Sequence, residues 1–171
     1  MDYNKRPGKK ITLLGEVLNS EKPTISIITP FYNGGSTLAE TSNSVLSQTY
    51  PFFEWIIVND GSPDKESVKE LEKVAKLDNR IKVYHKENGG PSDTRDFGIK
   101  KASKDTKYIF FLDCDDIMEN TMLEVLYWTL ETHKDASFAY TTMVNFGDQE
   151  YIWEQYLTVE REKKDNVFST P

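Results

Sequence analysis

The chain has 171 residues, of which 37% are hydrophobic and 29% are charged, a composition typical of a soluble globular domain with its own core. Its formal net charge of -7 argues against nonspecific nucleic-acid binding as the main role, because that binding needs a basic surface. No apolar run approaches the roughly 20 residues of a membrane span, and the N-terminus lacks a signal-peptide cleavage site. We therefore expect no transmembrane segment and no secretion signal.

The cysteine and histidine counts bear on compartment and metal chemistry. A single cysteine, Cys114, excludes an internal disulfide and fits a reducing compartment. We expect a cytoplasmic protein, and a peripheral position at the cytoplasmic membrane face is compatible with the sequence. The two histidines, His85 and His133, lie far apart in sequence, which argues against a histidine-rich metal site.

The predicted elements alternate between strands and helices. The predicted strands span residues 24–29, 52–60, 81–84 and 108–112, followed by a hairpin with strands 137–145 and 151–156 around Gly147 and Asp148. The predicted helices carry apolar residues at helical spacing: Leu38, Val45 and Leu46; Val68, Leu71, Val74 and Ala75; and Leu123, Leu126 and Leu130. A further helix is predicted from Ser92 or Asp93 to about Ala102.

Local signals set the predicted boundaries. Pro30 is predicted to end the first strand. Ser36, Ser62 and either Ser92 or Asp93 are the predicted N-caps, with Pro63 at the first position of the second helix. The predicted domain spans residues 24–157, between a polar leader at 1–23, with a short helix over 11–18, and a charged tail at 158–171.

Alternating strands and helices predict an α/β fold, a Rossmann-like and mainly parallel sheet flanked by helices. In open sheets of this kind, ligands bind beyond the carboxyl ends of the strands, at a switch in strand order. Polar clusters follow four predicted strands at that end: Tyr32 and Asn33, Asp60, His85–Gly90 and Asp113–Asp116. Because all four clusters follow the carboxyl ends of strands, we expect them to form one ligand site at that edge of the sheet.

The stretch 108–116, YIFFLDCDD, is the most distinctive of these clusters. Five apolar or aromatic residues run into three carboxylates, and the run predicts a strand buried on both faces. If strand geometry continues, Asp113 and Asp115 point to the same side. Crowded carboxylates repel, so we expect a neutralising partner. A divalent cation carrying a phosphate fits, because hard cations prefer oxygen ligands.

Each residue also has a purely structural interpretation. The three carboxylates can cap the following helix, and Asp60 can form an Asx turn ahead of Gly61. Arg95 can be a solvated helix charge, and Tyr32 can simply pack against its neighbours. Taken singly these alternatives stay open, and the combination favours a binding site.

Three motifs carry a family resemblance: ISIITPFYNGGSTLAETSNSVLSQTYPFFEWIIVNDGSPD at 25–64, NGGPSDTRDFGIKKA at 88–102, and YIFFLDCDD. In this order and spacing they resemble the N-terminal half of family 2 glycosyltransferases of the GT-A fold, over about residues 24–145. The resemblance implies transfer from a nucleotide-diphosphate sugar, often a UDP-sugar, with inversion and with Mn²⁺ or Mg²⁺. The implied acceptor is a carbohydrate or a lipid-linked molecule.

The resemblance also implies residue roles. Tyr32 stacks on the base, Asp60 hydrogen-bonds the base, and Arg95 lies near the diphosphate. Asp96 departs from the asparagine usual in the family. The implied nucleotide-sugar-binding residues are Pro30, Tyr32, Glu40, Asp60, Arg95 and Asp113, and the implied metal ligands are Asp115 and Asp113.

The catalytic residue is not assigned from the sequence. In the family the general base is an aspartate well downstream, in an acceptor-binding half, whereas this sequence stops at Pro171. Asp148, Glu150 and Glu154 are the nearby carboxylates. We therefore expect the donor-binding part of a transferase, which binds nucleotide-sugar better than it transfers it.

Three rival functions follow from the same residues. An aspartate-nucleophile phosphatase also uses an Asp-x-Asp motif after an apolar strand, although that class places it near the N-terminus and follows it with Gly-Thr. A calcium loop is set aside, because Ile117 and Met118 occupy positions that need a ligand and a glycine. A nucleotide-sugar-binding module without catalysis is the third rival. No sequence pattern indicates the oligomeric state.

Overall fold

The computed structural model describes residues 23–141, 143–145 and 151–152. Two compact units divide the chain, Met1–Ala139 and Tyr140–Pro171. Among the described residues, no helix is long and apolar enough to cross a bilayer. The predicted leader before residue 23, the hairpin turn and the charged tail lie outside the described residues.

The first unit is built on a four-stranded parallel sheet. Its strands are β1 (Ile25–Phe31), β2 (Phe53–Asp60), β3 (Ile81–Lys86) and β4 (Tyr108–Phe111). Their order is β3-β2-β1-β4, with every neighbouring pair parallel. The chain moves outward from β1 to β3 and then crosses back to place β4 on the other side of β1. This switch in strand order creates a crevice beside β1.

Helices cover both faces of this sheet. They are α1 (Leu38–Leu46), α2 (Lys65–Val74), α3 (Pro91–Lys101) and α4 (Met122–Thr132). The larger core gathers Trp55 with Leu38 of α1, Leu71 of α2 and Leu123 of α4. A smaller core on Ile28, Ile56 and Val58 packs against Phe97 of α3. The predicted α/β fold is therefore confirmed, with β2 buried along its whole length.

The predicted helix starts need correction. α1 follows Thr37 rather than Ser36, and α3 follows Gly90, with Pro91 as its first residue, rather than Ser92 or Asp93. The α2 cap is Asp64, whose carboxylate accepts the backbone N–H groups of Glu66 and Ser67 at 3.2 and 3.1 Å. Ser62 is not the cap because its Oγ accepts the N–H of Asn33, and Pro63 therefore precedes the helix.

The strand ends also differ from the prediction. Pro30 lies inside β1, opposite Val58 of β2, instead of ending the strand. β4 is not buried on both faces, since Ile109 and Phe111 are 37% and 48% exposed. The reason is its place at the edge of the described sheet, whereas α3 packs over β1 and β2.

The second unit contains one short antiparallel pair among its described residues. Strand β5 (Val144–Asn145) pairs with β6 (Tyr151–Ile152), so the chain reverses between them as predicted. The predicted strand over 137–145 is too long, because residues 137–141 adopt no regular structure. Strand propensity depends on pairing context, which explains why the apolar pattern overestimated this strand.

Candidate functional site

A pocket of about 350 Å³ opens beyond the carboxyl ends of β1, β2 and β4. Six of the seven sequence-predicted site residues line it: Pro30, Tyr32, Asp60, Arg95, Asp113 and Asp115. Tyr32, Asp60 and Asp115, from three different strand ends, thus share one cleft. The seventh residue, Glu40, is exposed on α1 and outside the pocket lining. Its predicted place near a nucleoside gains no support from this geometry.

The loop that carries Tyr32 is fixed by the loop after β2. The N–H of Asn33 donates to Ser62 Oγ at 3.0 Å, and Asn33 Oδ1 accepts the N–H of Asp64 at 3.2 Å. Asn33 has a φ of 54°, a left-handed conformation that asparagine tolerates better than most residues. Tyr32 is 52% exposed on this anchored loop, so its ring is open to a ligand.

Asp60 closes the back of the pocket and is only 4% exposed. Its Oδ1 accepts Lys86 Nζ at 2.6 Å and the N–H of Gly89 at 2.9 Å, while Oδ2 accepts the N–H of Gly90 at 2.9 Å. Burial opposes ionisation, but the hydrogen bonds from Lys86, Gly89 and Gly90 outweigh it and hold the pKa of Asp60 below its ordinary value. Asp60 therefore fixes the loop that leads into α3.

Arg95 and Asp113 form an ion pair across the pocket. Arg95 Nη2 lies 2.5 Å from Asp113 Oδ1, and the two side chains are 31% and 48% exposed. Arg95 Nε is buried and has no hydrogen-bond partner among the described residues. Arg95 also lies near the start of α3, where backbone N–H groups favour anions. This corner of the pocket is suited to an anionic ligand.

Asp113 and Asp115 lie in a tight turn after β4. Strand geometry ends at Phe111, and the N–H of Asp116 donates to the Asp113 carbonyl at 3.2 Å. Continued strand geometry, the condition under which the sequence predicted that the two carboxylates point to the same side, is therefore not met, although both line the pocket. Desolvation by neighbouring atoms, then the charges of Asp115 and Asp113, raise the pKa of Asp116 above its ordinary value, although Asp116 is exposed overall.

The donor atoms of this turn fit a divalent cation. Among the described residues, no cluster of three or more His, Cys, Asp or Glu side chains forms a ready cage. Mg²⁺ in proteins is commonly held by one or two carboxylates, with a bound phosphate and waters completing its shell. Asp115 is exposed and Asp113 partly exposed, and their hard oxygens beside a pocket suit that arrangement.

Sequence analysis assigned no role to the other six residues that line the pocket: Phe31, Asn88, Gly90, Pro91, Thr94 and Cys114. Asn88 Nδ2 donates to the Asp60 carbonyl at 2.9 Å, and the buried Thr94 hydroxyl donates to the Gly90 carbonyl at 2.8 Å. The polar cluster His85–Gly90 after the third strand had indicated that this loop contributes to the ligand site. One sequence alone does not reveal which of the loop side chains turns inward.

Comparisons with known proteins agree with this architecture. The sequence profile of "Glycosyl transferase family 2" matches residues 26–170. An uncharacterised glycosyltransferase of Rickettsia conorii is 42% identical over 127 residues, which are 71% of this chain and 20% of that protein. Glycosyltransferase GlyG of Streptococcus pneumoniae is 36% identical over 135 residues, covering 78% of this chain and 44% of GlyG. The chain thus spans less than half the length of these relatives.

A solved structure shares both fold and sequence. The crystal structure of S. aureus TarS 1-349 in complex with UDP-GlcNAc superposes with a TM-score of 0.59 and 29% identity. The match covers 65% of this chain and 32% of that chain. The profile match extends over most of the sequence and the parallel sheet has the same architecture. The chain therefore belongs to glycosyl transferase family 2, with a GT-A fold.

Proposed function

We propose that the pocket binds a nucleotide-diphosphate sugar, specifically a UDP-sugar, as the donor of an inverting glycosyl transfer. The observation that carries this proposal is the convergence of Tyr32, Asp60, Arg95 and Asp115 on one pocket at the switch in strand order. TarS, a structural neighbour at 29% identity, is bound to UDP-GlcNAc in its crystal structure. That complex supports uridine as the nucleoside in this proposal.

The base occupies the end of the pocket near β1 and β2 in this proposal. The exposed ring of Tyr32 offers a face on which uracil can stack. The Asp60 carboxylate suits the N–H of the pyrimidine, because a carboxylate only accepts hydrogen bonds. Of the three protein donors that bond Asp60, only the N–H of Gly90 uses Oδ2, so this oxygen can also accept the base N–H. The carboxylate that binds the base would then also hold the loop that leads into α3.

The diphosphate occupies the other end, beside α3 and the acidic turn. The Arg95 guanidinium can bond phosphate oxygens through its planar fork. Asp115 and Asp113 would hold Mn²⁺ or Mg²⁺. A bound divalent ion supplies positive charge that stabilises the departing nucleoside diphosphate. Asp113 keeps Arg95 at the same end of the pocket, since the two side chains pair directly.

The proposed transfer is a single displacement at the anomeric carbon. The acceptor oxygen bonds to that carbon as the bond to the diphosphate oxygen breaks, and the bonding pair leaves with the nucleoside diphosphate. The acceptor proton passes to a general base on the opposite face. The downstream carboxylates Asp148, Glu150 and Glu154 lie outside the described residues. Family membership argues against the rival aspartate-nucleophile phosphatase.

Calorimetric titration with UDP, with and without Mn²⁺, tests donor binding. We expect Mn²⁺ to strengthen UDP binding, and Asp115→Asn to reduce that strengthening by about tenfold, the scale on which metal-site contacts act. Glu66→Gln is the matched control, because Glu66 is an exposed carboxylate on α2 that pairs with Lys69 on the helix surface, away from the pocket lining. Metal-independent binding, or equal binding by both variants, would contradict the proposal.

Transfer is tested separately from binding. UDP release from a UDP-sugar is measured with and without a carbohydrate or lipid-linked acceptor. Acceptor-dependent release supports transfer by this chain. Donor binding without acceptor-dependent release would instead identify this chain as a non-catalytic nucleotide-sugar-binding module.

A further inference from the structure

A row of four polar side chains runs along α1 and the residues that flank it, and we call this row the polar stripe. Three of its members are buried, and Thr37, the N-cap of α1, is half-buried. Its members recur at helical spacing: Thr37, Thr41, Ser44 and Gln48. Apolar residues usually fill such a stripe, so four polar side chains there need a specific explanation. Each of them bonds the segment that follows β4.

The first two members bond the acidic turn itself. Thr37 Oγ1 and Thr41 Oγ1 both donate to the Cys114 carbonyl, at 2.9 and 3.0 Å. Cys114 stands between the two pocket carboxylates, Asp113 and Asp115. Fixing its carbonyl therefore constrains the backbone on both sides. Thr41 is fully buried, so no solvent water is at hand to replace its hydroxyl.

The last two members bond the chain just beyond the turn. Ser44 Oγ accepts the N–H of Met118 at 3.2 Å. Gln48 uses both ends of its amide, donating to the Glu119 carbonyl at 2.7 Å and accepting the N–H of Leu123 at 3.0 Å. The polar stripe thus follows the main chain from the acidic turn to the start of α4.

A close backbone approach supports the same assembly from the loop before α1. A Cβ added to Gly34 would lie 2.4 Å from Cys114 Sγ, which is inside van der Waals contact. Glycine at this position lets the loop after β1 lie directly against the acidic turn. The turn is therefore held on one side by the loop and on another by two hydroxyls.

We propose that the polar stripe, through Thr41 above all, is a positioning device that aims the acidic turn into the donor pocket. This inference rests on the proposed function, because it concerns the use of Asp113 and Asp115 toward a nucleotide-bound cation. Thr41 touches no ligand in this proposal and acts through the Cys114 carbonyl. The inference predicts that removing the buried Thr41 hydroxyl reduces the gain in UDP affinity that Mn²⁺ produces.

The test compares Thr41→Val with Thr41→Ser and Ser42→Ala. Thr41→Val removes the hydroxyl with little change of shape, and Thr41→Ser keeps it. Ser42→Ala is the matched control, since Ser42 is also buried in α1 but donates within its own helix, to the Ala39 carbonyl, rather than to the acidic turn. The Mn²⁺-induced gain in UDP affinity and the alkylation rate of Cys114 by iodoacetamide are measured below the unfolding temperature. Cys114 is the single cysteine of the chain, so alkylation reports on the turn alone.

We expect Thr41→Val to alkylate faster and to lose about tenfold of the Mn²⁺-induced gain, as other supports of metal ligands do on removal. UDP affinity without metal should fall by less than the Mn²⁺-induced gain, because Asp60 is held by Lys86, Gly89 and Gly90 and not by the turn. Thr41→Ser and Ser42→Ala should behave as the unmodified chain. If Thr41→Val does not fold, Thr37→Val, which removes the other hydroxyl on the same carbonyl, replaces it.

Two results would overturn the inference. One is an unchanged Mn²⁺-induced gain in Thr41→Val, even with faster alkylation, because the hydroxyl would then be merely structural. The other is an unchanged alkylation rate, which would show that the turn is held without Thr41. If the unmodified chain itself shows no Mn²⁺-induced gain, the metal part of the proposed function fails, and the alkylation rate still decides whether Thr41 holds the turn.

Discussion

Asp60 combines two tasks in one side chain. It lines the pocket, and it also binds Lys86 and the N–H groups of Gly89 and Gly90, which lead into α3. A buried carboxylate is stable only when paired and hydrogen-bonded, and these donors supply both conditions. The residue expected to read the base therefore also shapes the wall against which the base lies.

Asp60→Asn should destabilise the fold by about 1–3 kcal/mol, because it removes the buried one of the two carboxylates that pair with Lys86 and leaves an amide that cannot accept from all the same donors. Asp93→Asn is the control, since Asp93 contacts the same Lys86 at 2.7 Å but its side chain is 61% exposed, and it should cost under about 1 kcal/mol. Urea unfolding measures both. Equal losses in the two variants would show that burial of Asp60 is energetically unimportant.

Lowering the pH should remove the contribution of the Asp60 carboxylate to the free energy of unfolding. The pKa of Asp60 is lower in the folded chain than in the unfolded chain, so its stabilisation is complete above the unfolded pKa. It is lost as the pH falls through the lower folded pKa. The difference in unfolding free energy between the unmodified chain and Asp60→Asn should shrink on acidification.

At the scale of elements, much of the fold could be predicted from the sequence. β2 was recognisable because a strand buried on both faces carries a continuous apolar run, and residues 55–58 (WIIV) are such a run inside a strand that is buried along its whole length. β4 has the same pattern, yet its place at the edge of the described sheet leaves Phe111 exposed. The exposure of a strand residue depends on which strands and helices pack beside it, and the local sequence pattern does not determine those neighbours.

Helix caps and site residues also depend both on local sequence and on contacts with distant segments. Ser62 and Asp64 are both able to cap α2, and the choice follows from Asn33, which bonds Ser62 from another loop. The gathering of strand ends into one pocket followed from the rules of parallel sheets. The hydrogen-bond partners of Asp60 and of the Cys114 carbonyl could not be predicted from those rules, because these bonds join segments that are distant in sequence.

The junction of α4 with β4 contains a further prediction at this scale. Glu131 accepts Lys134 Nζ and Tyr108 Oη, both at 2.6 Å, and also pairs with Lys107. Burial opposes ionisation, but these bonds outweigh it and lower the pKa of Glu131 to about 2. A depressed folded pKa stabilises the fold at neutral pH and loses that effect as the pH falls from the unfolded value of 4.5 toward about 2.

Glu131→Gln should therefore lower the unfolding temperature at pH 7, and the deficit should narrow toward pH 2. Thermal unfolding followed across this range by circular dichroism measures both. Glu70→Gln is the control, because Glu70 also pairs with a lysine, Lys73, but its side chain is 42% exposed on α2. A pH-independent deficit in Glu131→Gln would contradict the ionic origin of the stabilisation.

Across the whole first unit, the two ends of the sheet have different roles: one forms the pocket, and the other holds a buried hydrogen-bond cluster. The carboxyl ends of the strands form the pocket, whereas the amino ends meet at Glu54, which is 2% exposed. Glu54 Oε1 accepts Ser26 Oγ at 2.5 Å and the N–H of Ser103 at 2.6 Å, and Oε2 accepts Lys82 Nζ at 2.6 Å. One carboxylate thus joins β1, β2, β3 and the loop before β4, on the side away from the ligand.

This division predicts that stability and binding can be lost independently. Glu54→Gln replaces a charged acceptor by an amide that cannot satisfy all the same donors, and it should destabilise the fold by about 2–3 kcal/mol. The folded fraction should still bind UDP with unchanged affinity, since the pocket lies at the opposite strand ends. Asp115→Asn should do the reverse, weakening metal-dependent binding with little effect on unfolding. Urea unfolding and UDP titration on both variants measure the four quantities, and a loss of UDP affinity in folded Glu54→Gln would show that the two ends of the sheet are coupled.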